Sequence, residues 1–254
     1  MHSLPRLLST LLLAATLSSV QAQPPVTAPK ATKPDASAAI EKIDTNGSFR
    51  QKHESFLERG KAGPIGVLFV GDSITAGWTK APEVWNEYFG KYQPANFGIG
   101  GDQTQHVIWR IENGELDGIK PKVVVLMLGT NNTTANTANE IAAADKKIVQ
   151  LIRQKIPTAK VLLLAVFPRG PRKDKEGKIT DDGTSRMAII RSVNAQLAKL
   201  DDGKNVRFLD INAKFLGADG KIPDSIMPDQ LHPNVDGYKI WAAAMQPTLD
   251  AMMK

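Results

Sequence analysis

Apolar residues recur along this chain with two different periods. Short continuous runs, Val67–Val70 (V-L-F-V), Lys122–Leu128 (K-V-V-V-L-M-L), Lys160–Phe167 (K-V-L-L-L-A-V-F) and Val206–Ile211, read as strands buried on both faces. A shorter one starts at Ala95-Asn96-Phe97. Between them, apolar positions three and four apart predict helices over Phe49–Arg59, Glu83–Tyr92, Gln103–Leu116, Asn139–Ile156 and Ser185–Leu200. Ile141, Ile148 and Ile152 share one face of the fourth of these. A last helix over Val235–Met252 carries the stripe Tyr238, Trp241, Ala242, Met245 and Leu249. Strands alternating with helices imply an α/β three-layer sandwich, a five-stranded parallel sheet with helices on both faces. Right-handed crossovers then bring every strand C-terminus to one edge, where ligands bind in such sheets.

The first residues do not fit this alternation. Residues 1–22 read as a secretory signal, with Arg6 as its charge, Leu7–Leu17 as its apolar core and Val20-Gln21-Ala22 as a small-x-small cleavage site. The apolar stretch is too short for a stable membrane anchor. Residues 23–45, rich in Pro, Ala, Thr and Lys, are expected to be a disordered lead-in, and 46–254 the folded domain. The expected location is therefore exported, periplasmic or extracellular. The 254-residue chain has no cysteine, which excludes lipoprotein attachment, disulfides and thiolate metal sites. Its net charge of +6 is scattered except over Arg169–Lys178 (R-G-P-R-K-D-K-E-G-K), so nucleic acid is not an expected partner. That run is either a solvated loop or a place where Arg169 or Arg172 contacts substrate.

Polar clusters follow the strands. They are Gly71-Asp72-Ser73, Gly98-Ile99-Gly100-Gly101-Asp102, Gly129-Thr130-Asn131-Asn132 and Pro168-Arg169-Gly170, with Asp229-Gln230-Leu231-His232-Pro233-Asn234 before the last helix. On its own, Ser73 could be a nucleophile or a helix cap, since the usual G-x-S-x-G elbow is absent. A serine nucleophile needs a base. Of four histidines, His2 lies in the signal, His53 is expected to be solvated, and His106 is read as a supporting or packing residue. His232 has Asp229 three residues earlier, so one turn can present both side chains, although Asp229 could instead cap the following helix. Gly100-Gly101, the Asn131 amide and the Ser73 backbone N–H are candidate donors to a developing oxyanion. No phosphate-loop or dinucleotide motif is present.

G-D-S, G-G-D, G-T-N-N and D-x-x-H, in this order and each at a strand exit, resemble the SGNH (GDSL) hydrolase family. N-F-G-I-G-G-D-Q-T-Q-H-V-I-W-R at 96–110, N-G-E-L at 113–116, P-K-V-V-V at 121–125, F-P-R-G at 167–170 and L-H-P-N-x-x-G-Y at 231–238 are similar to catalytic subunits of platelet-activating-factor acetylhydrolase and their bacterial relatives. The resemblance implies a flavodoxin-like fold and no cofactor or metal. It implies Ser73 as nucleophile, His232 as base, Asp229 as its orienter, and Gly101, Asn131 and the Ser73 amide as oxyanion donors. Ile74 stands where the family has leucine. Asp72 is expected to brace the turn, Asp102 to cap the next helix, and Trp109 and Arg110 to be structural. The expected activity is removal of a short acyl group, foremost acetyl, from a carbohydrate or other small ester. Competing readings are a lysophospholipase or thioesterase, and a non-catalytic glycan-binding module.

Overall fold

The computed structural model describes residues 33–254; the expected signal segment and the start of the lead-in lie outside them. Five strands form one parallel sheet: β1 Val67–Gly71, β2 Pro94–Gly98, β3 Val123–Met127, β4 Lys160–Leu164 and, after a small hairpin, β7 Val206–Leu209. Their spatial order is β2-β1-β3-β4-β7. The register aligns Val67 with both Pro94 and Val123, and Gly71 with Gly98 and Met127, so the adjacent strands β2, β1 and β3 end level. The expected α/β class and parallel sheet are what the chain forms.

Alternation along the strands splits the core in two. Leu68, Val70, Val124 and Leu126 face α1 Ser48–Lys61, α4 Thr104–Glu112, α5 Ala138–Lys155 and α6 Thr184–Leu197. Val67, Phe69, Val123, Val125 and Met127 face α3 Pro82–Phe89 and α7 Val235–Met253, in an aromatic layer built on Trp78, Phe89, Tyr238 and Trp241. Burying one such large side chain stabilises the fold by about 2–3 kcal/mol, and enough of them are fully buried here to hold a sheet without disulfides.

Three expectations are corrected. First, residues 33–45 are not a loose lead-in. Ala36 is buried and its carbonyl accepts from Thr104 Oγ1 at 2.8 Å, while Asn136 Nδ2 and Lys147 Nζ donate to the carbonyls of Pro34 and Ser37. The segment is held through its backbone by side chains of α4, α5 and the loop before α5, which leaves no apolar period to read. Second, His53 is 6% exposed, with Nε2 donating to the Asn113 carbonyl and its ring edge against Trp109. Third, Asp102 does not cap α4. The Gln103 N–H donates to His106 Nδ1 at 3.0 Å, and Asp102 turns inward to Arg110.

The hairpin β5 Arg172–Lys173 and β6 Ile179–Asp181 lies between β4 and α6, antiparallel and outside the main sheet. Its strands carry no hydrophobic alternation, so nothing in their pattern announced them. Among the described residues no helix is long and apolar enough to cross a membrane.

Candidate active site

The Ser73 side of the site is built by β1. The strand ends at Gly71, where a Cβ would lie 2.6 Å from the Met127 carbonyl oxygen and 2.2 Å from Thr75 Oγ1. Only glycine lets the chain turn so close to β3. Asp72 follows, fully buried, and its Oδ1 accepts the Ile74 N–H at 2.9 Å, which starts the short helix α2 Ser73–Ala76. Ser73 is thus delivered to the sheet edge at the first position of that helix, and Asp72 braces the turn as expected.

The base side is a loop that closes on itself. Asp229 Oδ1 accepts the backbone N–H groups of Leu231 at 3.1 Å and His232 at 2.7 Å, and Oδ2 accepts from His232 Nδ1 at 2.6 Å. Asp229 is therefore not the cap of the last helix. That role falls to Asn234, whose Oδ1 accepts the Gly237 N–H. Gln230 reaches φ +60° to make the turn. Partial burial of Asp229 raises its pKa, but these three bonds and the charge of His232 outweigh it and hold the carboxyl well below the usual range.

The two sides meet at one hydrogen bond, Ser73 Oγ to His232 Nε2 at 2.9 Å. A carboxylate only accepts, so His232 Nδ1 carries the proton and Nε2 is left to accept from the serine hydroxyl. Such a chain of hydroxyl, imidazole and carboxylate has the geometry by which an imidazole can take a serine proton as Oγ attacks a carbonyl carbon. α7 ties the halves together from below. Tyr238 donates its hydroxyl to the Ile74 carbonyl at 2.7 Å, a contact that its place in an apolar stripe concealed.

Two of the candidate oxyanion donors differ in their freedom. Gly101 adopts φ +73°, and among the described residues its N–H has no acceptor. The Asn131 amide is engaged: Nδ2 donates to the Asp102 carbonyl at 2.9 Å and, more loosely, to Asp72 Oδ2 at 3.3 Å. One side chain thus joins the exits of β1, β2 and β3.

Below this edge lies a set of buried acids. Burial pushes the Asp72 carboxyl up to about 7, with the Ile74 N–H pulling it back and Asp102 adding to the rise. Burial raises Asp102 to about 6 and Glu115 to about 7, in each case against the Arg110 guanidinium that pairs with both. Arg110 and both acids are inaccessible to solvent, so Arg110 is structural, as expected. Asp145 on α5 is 1% exposed and neither of its oxygens has a hydrogen-bond partner; burial, then the nearby Asp72, push its pKa well up. His106 is pushed down to about 4 by burial and by the Lys42 and Arg110 charges, consistent with its neutral, accepting Nδ1. Lys42 was not anticipated, because its partners come from an element far along the chain; Asp145 was not singled out, although it falls on the helix face marked by Ile141 and Ile148.

Arg169 and Arg172 stand beside the relay without belonging to it. Arg172 Nη1 lies 3.9 Å from Asp229 Oδ2. The Arg169 side chain is buried, its Nη1 donating to Thr130 Oγ1 at 3.3 Å. Among the described residues no group of three His, Cys, Asp or Glu side chains is arranged to hold a metal ion.

Comparison with known proteins agrees with this geometry. The profile of the GDSL-like lipase/acylhydrolase family matches residues 69–240. The chain is 40% identical over 204 residues to rat (Rattus norvegicus) platelet-activating factor acetylhydrolase IB subunit alpha2, covering 79% of this chain and 82% of that one. It is 36% identical over 203 residues to the bovine (Bos taurus) alpha1 subunit, covering 78% and 81%. Among solved structures, a GDSL-like lipase from Bacteroides thetaiotaomicron superposes with a TM-score of 0.62 at 20% identity over 78% of this chain and 97% of that one. A carbohydrate acetylesterase from Sinorhizobium meliloti does so with a TM-score of 0.58 at 19% identity over 74% and 99%. At these identities the two structures speak for the fold alone.

Proposed function

The chain belongs to the GDSL-like lipase/acylhydrolase family, and from that premise we propose that it is an exported serine esterase that removes short acyl groups, acetyl foremost, from a carbohydrate or another small ester. Ser73 Oγ attacks the acyl carbon while His232 Nε2 takes its proton. Asp229 holds the imidazole in the accepting tautomer and stabilises the imidazolium. The Ser73 and Gly101 N–H groups, joined by the Asn131 amide when its loose bond to Asp72 yields, receive the developing oxyanion. His232 then protonates the leaving alkoxide, and water repeats the sequence on the acyl-enzyme.

The observation that carries this reading is the unbroken relay Ser73–His232–Asp229 at 2.9 and 2.6 Å. A short acyl group is supported by two relatives named acetylhydrolases and by the charged lining of the cavity next to Asn131. A longer chain, as in a lysophospholipase, draws on a different feature: a cavity of about 960 Å³ lined in part by Met187, Ile190, Phe208 and Ile222 and reaching Gln230.

Turnover of p-nitrophenyl acetate against p-nitrophenyl octanoate tests the choice, with acetate expected to be faster. Ser73→Ala should abolish both activities at unchanged melting temperature, leaving only the background of the oxyanion site. Substantial residual turnover would remove Ser73 from the role, and octanoate preference would favour the longer chain. Export is tested by sequencing the mature N-terminus, expected at Gln23.

A further inference from the structure

We propose that the cavity beside Asn131 is a subsite for a carboxylate carried on the alcohol half of the ester, a proposal that rests on the esterase reading and specifies its substrate. The cavity, about 380 Å³, lies where the exits of β3 and β4 meet Leu231, the neighbour of His232. Arg169, Arg172, Lys173 and Arg186 line it, against the single acid Asp181. This is more than a solvated charge run, because Arg169 is built in. Its side chain is 3% exposed, and its Nε has no hydrogen-bond partner. With Nη1 on Thr130 Oγ1 and Nη2 near Asp181, its guanidinium is a fixed positive charge in the cavity wall rather than a mobile surface cation.

The chain itself shows which group fits. The Asp181 carboxylate lies between Arg186 Nε at 2.6 Å and Arg169 Nη2 at 3.9 Å. A second carboxylate would meet Arg172, whose nearest acid is Asp229 of the relay, and guanidinium forks suit that planar group. The cavity also reaches Leu231, the residue before His232. The leaving oxygen must face His232 to receive its proton, so the alcohol half of the ester extends toward these arginines. The substrate class is then a short acyl ester of a sugar acid or comparable hydroxy acid.

Calorimetry on the inactive Ser73→Ala protein separates this proposal from the esterase reading. D-glucuronate should bind and D-glucose should not. Arg172→Gln, on the partly exposed hairpin, should weaken glucuronate binding at least tenfold, and Arg169→Gln likewise if it melts as the parent does. With active enzyme, the ratio of kcat/KM for 3-O-acetylglucuronate over 3-O-acetylglucose should fall at least tenfold in Arg172→Gln. Equal binding of glucuronate and glucose, tighter binding of inorganic phosphate than of glucuronate, or an unchanged ratio would overturn the subsite. Loss of p-nitrophenyl acetate turnover in the parent would instead strike at the esterase reading.

A separate contact, at Gly100, carries a second inference: we infer that Lys42 is a positioning residue for the oxyanion site. Lys42 Nζ donates to the Gly100 carbonyl oxygen and lies 3.7 Å from Asp102 Oδ1. The Gly100 carbonyl and the Gly101 N–H are the two ends of one trans peptide plane. Holding the oxygen aims the N–H the opposite way, and drawing electron density from the oxygen makes that N–H a stronger donor. The space is tight, since a Cβ at Gly101 would lie 3.2 Å from Lys42 Nζ.

Lys42→Ala should lower kcat on p-nitrophenyl acetate at least tenfold with KM within twofold. It should slow inactivation by a fluorophosphonate by a similar factor, because the phosphoryl oxygen of that reagent gathers negative charge in the same oxyanion site as serine attacks and fluoride leaves. Lys42→Arg should restore kcat to within about threefold. An unchanged kcat, or a loss that follows melting temperature and that arginine does not restore, would overturn the assignment.

Discussion

Asp72 and Asp229 flank the same Ser73–His232 hydrogen bond in opposite environments. Asp72 is fully buried, makes one strong bond to a backbone N–H, and has its carboxyl pushed up to about 7. The Asp229 side chain is 44% exposed, accepts three hydrogen bonds, and is held well below the carboxylate range. Sequence distance to the nucleophile would favour Asp72 as the catalytic acid. Hydrogen bonding decides otherwise, because an orienter of imidazole must stay ionised and must face Nδ1. The buried aspartate is free to do the opposite work, fixing a backbone turn at a site where full charge is costly.

The comparison can be broken in several ways. The largest effect belongs to Asp229→Asn. It keeps an acceptor for the two backbone N–H groups but offers His232 the wrong tautomer, so kcat should fall by about 10³–10⁴-fold with little change in melting temperature. A loss under tenfold, measured with p-nitrophenyl acetate, would deny Asp229 its place. Arg110→Ala comes next, on stability alone. It strands Asp102 and Glu115 inside the protein, and denaturant unfolding should show a loss of about 3–5 kcal/mol.

Asp72→Asn should be milder, since the amide oxygen can still cap Ile74, and kcat should stay within about tenfold of the parent. Its signature is in pH. A raised folded-state pKa gives stability that is fully present below the unfolded value of 3.8 and is lost as pH rises through about 7. The variant does not titrate there, so its stability relative to the parent should improve by a few kcal/mol between about pH 4 and pH 8, each tenfold difference in proton affinity between the folded and unfolded carboxyl being worth about 1.4 kcal/mol. A flat difference in melting temperature across that range would contradict the burial argument. Asp145→Asn has the same sign: relief of a buried carboxyl that lacks partners should raise the melting temperature near pH 8, and less near pH 5.

These expectations also mark what could be read along the chain. The strands were legible because burial on both faces writes continuous apolar runs, and their exits because glycine and polar residues end those runs abruptly. The relay was legible in part because Asp229 and His232 are three residues apart in one turn, a purely local geometry. The buried polar wiring was not. Arg110 read as a structural helix residue, but nothing near it identified Glu115 and Asp102 as its inaccessible partners. His53 read as solvated, and Asp145, although it falls between Ile141 and Ile148 on the apolar face of its helix, was assigned no role. Lys42 sat in a stretch whose composition signalled disorder, yet its ammonium reaches Gly100 across 58 positions. Such contacts depend on which distant elements the fold brings alongside, and periodicity carries no record of that.

The closed D-x-x-H turn has a mechanical consequence. His232 and Asp229, base and orienter in the proposed esterase, ride on one loop, pinned at Asn234 by its N–H to the Ile226 carbonyl and by Nδ2 to Ser225 O. If that loop shifts, His232 and Asp229 shift as one body, and their mutual alignment survives. The machinery then has a single soft coordinate, the gap between Ser73 Oγ and His232 Nε2, steadied by the Tyr238 hydroxyl on the Ile74 carbonyl. Mild heat or denaturant should therefore switch molecules between fully competent and silent, without a gradual blurring of the chemistry. Titrating the reactive serine with a covalent probe would count the competent molecules, and turnover per labelled site would stay constant as their number fell.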